Sequence, residues 1–283
     1  MQGEVNSERL PLTAHALAAM RAIIVREAIK FSQQTGRLVS ALVRPLLWLA
    51  VFAAGFRNVF GVAIVEPYDT YVAYDVYIAP GLIAMVLLFN GMQGSLAMVY
   101  DREMGLMRLL LTAPLPRWWV LLSKIVATSL LSVMQALAFV LVAALVGTAL
   151  PFDGLAVVHA LLATVCGAMM LASLGLLLSV TIRQLENFAG TMNFVIFPMY
   201  FLSTALYPLW KLEESGATWV YQVASWNPFT HVVEWIRFAL YGKDPGLSPW
   251  IVLGMLAVTF ALACWGYDPQ RGFGGLAKRG GAP

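Results

Sequence analysis

Residues 78–104 read Ile78-Ala79-Pro80-Gly81-Leu82-Ile83-Ala84-Met85-Val86-Leu87-Leu88-Phe89-Asn90-Gly91-Met92-Gln93-Gly94-Ser95-Leu96-Ala97-Met98-Val99-Tyr100-Asp101-Arg102-Glu103-Met104. No Asp, Glu, Lys or Arg falls between Asp75 and Asp101, and then three charges arrive in succession. A bilayer core takes roughly 20 mostly apolar residues wound as a helix. This stretch has that length and stops abruptly at a charged border. The whole chain carries the same signature: 60% apolar, 12% charged, mean hydropathy +0.76. A water-soluble domain usually has about 25% charged residues, so lipid must solvate most of this one.

Outward from that stretch, further charge-free intervals run from Lys124 to Asp153, Asp153 to Arg183, Glu186 to Lys211 and Asp244 to Asp268. With an earlier apolar segment, they predict an all-α polytopic membrane protein of about six transmembrane helices, near 38–56, 78–99, 119–145, 155–180, 188–209 and 250–267. Arg44 interrupts the first span close to its start, where its side chain is expected to snorkel to the headgroups. Four basic residues, Arg57, Lys211, Arg237 and Lys243, fall on one side of these spans, and the other fourteen of the eighteen fall on the opposite side. Basic residues concentrate on the cytoplasmic side, which predicts that both termini are cytoplasmic.

Three segments are neither span nor simple loop. Residues 1–37 are expected to form a cytoplasmic N-terminus containing an amphipathic interfacial helix, because Leu17, Met20, Ile24, Ala28 and Phe31 recur at helical spacing. On that reading Arg26, Lys30, Gln33 and Arg37 occupy the polar face. Residues 101–112 mix charge with a Leu/Met stripe before Pro114 and Pro116, predicting a short helix whose apolar face needs either lipid or a soluble partner. Between Tyr207 and Trp250, Asn227-Pro228 opens an apolar stripe of Phe229, Val232, Val233, Ile236 and Leu240, expected as short re-entrant helices on the outer side. Residues 269–283 are expected as a solvated cytoplasmic tail.

Polar groups inside spans are costly and merit a functional hypothesis beside a packing one. Asn90, Gln93, Gln135, His159 and Asn193 are such groups. Phe188, Phe194, Phe197, Tyr200 and Phe201 add an aromatic stripe that suits an amphipathic cargo or plain packing. Ala163/Gly167 and Gly175/Ser179 are small-residue pairs read as helix packing. His231-x-x-Glu234 supplies too few ligands for a metal. No catalytic constellation and no G-x-x-x-x-G-K-[ST] phosphate loop occurs.

Taken together, Arg44-Pro45-Leu46-Leu47-Trp48, Pro80-Gly81-Leu82, Asp101-Arg102-Glu103-Met104-Gly105 with Arg108-Leu109-Leu110, Pro114, Arg117 and Lys124, and Asn227-Pro228 resemble the membrane subunit of ABC type-2 exporters over nearly the whole chain. Many members have glutamine where this chain has Arg44. The resemblance implies a permease of the bacterial inner membrane, with an elbow helix before span one and a cytoplasmic coupling helix. Asp101, Arg102, Glu103, Gly105 and Arg108 would contact the ATPase. It implies a homodimer with two ABC ATPase subunits, which bind the ATP and Mg; this chain would hold no cofactor or metal. Membrane lipid is a further expected partner, and nucleic acid is not. Asn90, Gln93, Asn193, Phe197 and Tyr200 become candidates for the translocation path. The chain also resembles permeases from gene clusters for pyrroloquinoline-quinone-dependent alcohol oxidation. A second reading, from the polar span residues and the apolar outer cap, is a membrane-embedded enzyme or assembly factor acting without ATP.

Overall fold

A computed structural model describes residues 12–33, 35–56, 74–104, 116–148, 154–182 and 184–267, and every regular element among them is helical. In chain order these are α1 (Leu12–Gln33), α2 (Thr35–Phe56), α3 (Tyr74–Glu103), α4 (Arg117–Leu145), α5 (Gly154–Thr181), α6 (Leu185–Phe201), α7 (Leu209–Glu214), α8 (Thr218–Trp226), α9 (Pro228–Leu240) and α10 (Ser248–Gly266). Four of them, α3, α4, α5 and α10, are long and apolar enough to cross a membrane. The apolar stretch of α2 is shorter, Leu42–Val51, and α6 has 17 residues. The chain is an all-α, multi-pass membrane protein.

The bundle is organised around α3. It is buried continuously from Tyr77 to Met92 and packs on α2, α4, α5, α6 and α9. Lipid tails are as apolar as leucine, so burial alone does not hold such helices together; close backbone approach and interhelical hydrogen bonds must. At the α3–α5 crossing a methyl group on Gly175 would stand 2.5 Å from Ser95 Oγ and 2.9 Å from the Gly91 carbonyl oxygen. Only a missing side chain permits that approach. The Ala163/Gly167 pair, one stretch earlier on α5, instead receives Val232 of α9. Both small-residue pairs are buried in helix packing. By contrast, Leu130, Met134, Leu137, Leu141 and Leu145 form an exposed apolar stripe along α4.

The stripe opened by Asn227-Pro228 is buried as its spacing predicts: Phe229, Val232, Val233, Ile236 and Leu240 all face the core. Asn227 caps α9, its Oδ1 accepting from the Phe229 N–H at 3.0 Å. Its Nδ2 donates to the carbonyls of Met199 (2.8 Å) and Leu202 (2.6 Å) at the end of α6. Those bonds matter because α6 ends at Phe201 and the chain runs on through an irregular segment before α7. Non-helical backbone at membrane depth needs partners from the protein. Tyr74 Oη donates to the Leu206 carbonyl (2.7 Å), and Tyr77 Oη (3.2 Å) and Arg237 Nη2 (2.7 Å) both donate to that of Thr204. Arg237, 3% exposed, also pairs with Glu234 and lies over the Tyr77 ring. Gly81 on α3 completes the fit, since a Cβ there would fall 2.6 Å from the Ala205 carbonyl oxygen. A charge-free interval shows only that residues 188–209 avoid water; it does not show that they are helical throughout.

Three basic side chains make contacts within the protein that the sequence did not indicate. The Arg44 guanidinium lies 3.9 Å from the centroid of the Phe89 ring on α3, a cation–π contact. Along α1, Arg26 and Lys30 turn toward the protein while Val25 and Ile29 are exposed. A buried acid on α3, described below, draws them inward.

The α3–α5 crossing predicts that Gly175→Leu lowers stability by about 2 kcal/mol or more through overpacking. Gly254→Leu, on α10 with open space around it, is expected to be neutral. Thermal unfolding of the two variants in detergent checks the contrast.

Candidate functional site at the end of the third helix

The last turn of α3 presents Asp101, Arg102 and Glu103, and each grips a different part of the bundle. Asp101 has no exposed surface. Its Oδ2 accepts from Lys124 Nζ of α4 at 3.0 Å, and its Oδ1 from Lys30 Nζ of α1 at 3.0 Å. Arg26 Nη2, one turn back on α1, reaches both oxygens at 3.2 and 3.3 Å. Lys124 Nζ also donates to Glu27 Oε1 at 2.8 Å. Stripping a carboxylate and an ammonium of water costs several kcal/mol each unless charge-assisted hydrogen bonds replace it. Here every oxygen of Asp101 is engaged by at least two cationic donors. The Trp119 indole N–H donates to the Ala16 carbonyl at 2.8 Å, so α1 is fastened to α4 at a second point.

Arg102 and Glu103 address the connection between α5 and α6. Arg102 Nη2 donates to the Ile182 carbonyl at 2.5 Å, and Glu103 Oε1 accepts the Leu185 N–H at 2.8 Å. Leu185 begins α6, and Gln184 before it makes no side-chain cap. The first N–H groups of a helix lack intrahelical partners, so Glu103 serves as the cap from another helix. Three consecutive residues thus tie α1, α4 and the α5–α6 connection to one helix end.

Beside this cluster lies a cavity of about 610 Å³ between α1, the start of α2, α3, α4 and α6, with Glu27, Lys30, Asn90, Gln93, Tyr100 and Thr128 as its polar lining. Asn90 Nδ2 donates to Gln135 Oε1, joining α3 to α4. The path candidates therefore separate. Asn90 and Gln93 reach the cavity; Asn193 and Phe197 lie on the exposed face of α6, where Phe197 stacks on Phe201. Tyr200 is core, 1% exposed and packed between Trp48 and Phe229. His159 is exposed beside a smaller cavity of about 320 Å³. His231 approaches Ser248, and Glu234 pairs with Arg237. Gly105, Arg108 and the rest of the 105–115 segment lie outside the described residues. The 269–283 tail does too.

Glu27 and the inward turn of Arg26 and Lys30 are what sequence reasoning missed. One signal was available. Lys124 stands inside an otherwise apolar span, and an intramembrane cation calls for a carboxylate at matching depth; Asp101 begins the connection leading to that span.

The site closes one end of the central helix of a bundle in which four helices are long and apolar enough to cross a membrane. Residues 18–241 match the family described as ABC-2 type transporter, and the chain belongs to that family: it is the membrane subunit of an ABC transporter, with ATP hydrolysis performed by a separate ATPase subunit. Similar proteins include a putative transport permease of Cyanophora paradoxa, ycf38, 30% identical over 80% of this chain and 74% of the relative. The inner membrane transport permease YadH of Escherichia coli is 25% identical over 90% of this chain and 96% of its own length. The probable multidrug ABC transporter permease YbhR, also of Escherichia coli, is 28% identical over 69% of this chain and 53% of its own length. Family membership displaces the enzyme reading.

Removing Asp101 leaves Lys124, itself nearly buried, with Glu27 alone. Asp101→Ala is expected to cost about 3–5 kcal/mol and to deplete folded protein in the membrane. Asp101→Leu combined with Lys124→Met should recover much of that loss, because the buried charges leave together. Folded yield by fluorescence-detected size exclusion tests both.

Proposed function

We propose that this chain is the permease of an exporter in the bacterial inner membrane, working as a homodimer with two ATPase subunits that bind ATP and Mg on its cytoplasmic face. In this arrangement α2 and α6 also cross the membrane, giving six spans with both termini inside. The domain layout follows: residues 1–37 before the first span, 38–268 as the permease body, and 269–283 as the tail. Segment 101–112 is the coupling helix. Closure of the ATPases presses on it and moves α3, and with it Asn90 and Gln93 beside the path, while Asn193 and Phe197 on the open face of α6 meet the second copy or the cargo.

The observation that carries this reading is the triple grip of Asp101, Arg102 and Glu103. A force applied just beyond Glu103 reaches α1, α4 and α6 through bonds of 2.5–3.3 Å rather than dissipating in a flexible joint. Asp101, being wholly buried, acts as the internal anchor of the lever. Glu103, exposed on its free side, together with Gly105 and Arg108, would meet the ATPase groove.

The isolated permease is expected to hydrolyse no ATP. Gly105→Leu should remove the ATPase subunit from co-purified complex, and Glu103→Ala should leave ATP hydrolysis running without transport. If both variants retain normal partner binding and normal transport, segment 101–112 is not the coupling element.

A further inference from the structure

We infer that the 610 Å³ cavity beside the ion cluster binds an amphipathic molecule with one anionic head, a phosphate or carboxylate, seated on Lys30. Cavities of roughly 300–1,000 Å³ hold ligands of this size. Its lining is mixed. Phe31, Leu96, Leu131 and Met192 are apolar, while Lys30, Gln93 and Thr128 carry hydrogen-bonding groups. A purely polar ligand would leave the apolar side chains wet, and a pure hydrocarbon would strip water from the polar ones.

The sign of the head follows from the charges. Among the described residues the cluster contains Arg26, Lys30 and Lys124 against Asp101 and Glu27, one cation in excess. Asp101 is sealed behind Lys30 and Lys124 and offers nothing to the cavity. Glu27 does line it, but its carboxylate is held by Lys124 at 2.8 Å. Lys30 is 35% exposed and spends one of three ammonium donors on Asp101. It therefore presents donors and surplus charge at the cavity wall, where a cationic head would be repelled. Because Lys30 also holds α1 to α3, an occupant addresses the same cluster that anchors the coupling segment.

That this occupant is the cargo rests on the function proposed above; the binding itself does not. The test uses the permease with its ATPase in phosphatidylcholine nanodiscs, without nucleotide, and measures equilibrium binding of labelled lysophosphatidic acid. Its monoacylglycerol of the same chain and inorganic phosphate are the comparators. Lysophosphatidic acid should bind saturably and about tenfold more tightly than the monoacylglycerol, the worth of one charge-assisted hydrogen bond, and free phosphate should not compete. Lys30→Gln should erase the preference and Lys30→Arg preserve it, while Leu131→Trp, which fills the cavity, should weaken both chains. Competition by added phosphatidylglycerol identifies a bilayer phospholipid as the natural ligand; its absence identifies a free amphiphile, and either upholds the site. Equal affinity for the two chains, competition by phosphate alone, or a preference that survives Lys30→Gln overturns it. Loss of binding with ATP-driven coupling intact would refute this site and leave the exporter reading standing.

Discussion

A carboxylate with no exposed surface has to be neutralised by its neighbours, and in this protein Asp101 is neutralised by cations from two other helices. The arrangement sets much else. It fixes the depth at which Lys124 enters the bundle and turns the charged side of α1 inward, leaving Val25 and Ile29 exposed. It also gives α3 a rigid end. Buried ion pairs add little net stability compared with apolar packing of the same volume, so their value here lies in specifying which helices meet and in what register.

The opposite end of α3 solves a different problem. There the chain leaves regular structure between α6 and α7, and its carbonyls are collected by Tyr74, Tyr77, Asn227 and Arg237. Gly81 makes room for that backbone, just as Gly175 makes room for α3 against α5. The central helix is thus polar-bonded at both ends and close-packed between them. A rod so constrained moves as a unit, which is the mechanical property a transmission element needs.

Both functional features converge on the Asp101 end. The proposed coupling segment continues directly from the residues that grip α1, α4 and the α5–α6 connection. The larger cavity shares Glu27 and Lys30 with the same cluster. Cargo and motor would then act on one set of charges, so that occupancy of the cavity and force on the lever are felt by the same bonds rather than relayed through the length of the bundle.

Much of the architecture was legible in the linear chain. Charge-free intervals located the membrane-capable helices, because no soluble segment avoids ionised groups for so long, and Asn227-Pro228 with its apolar stripe located the buried cap helix through helical periodicity. The small pairs on α5 were legible as packing because only small residues let helix backbones approach. Partner identity was not legible. Arg26 and Lys30 obey the spacing of a polar, lipid-surface face, yet they point into the protein. Glu103 caps a helix that begins 82 positions further on. Neither fact has a local signature, since hydrogen-bond partners are chosen by which helices the fold brings side by side. The sequence alone therefore determined that the chain lives in lipid and where it is apolar enough to cross; only the tertiary structure decided which charges cancel, because electrostatic pairing depends on distance in space and not on separation along the chain.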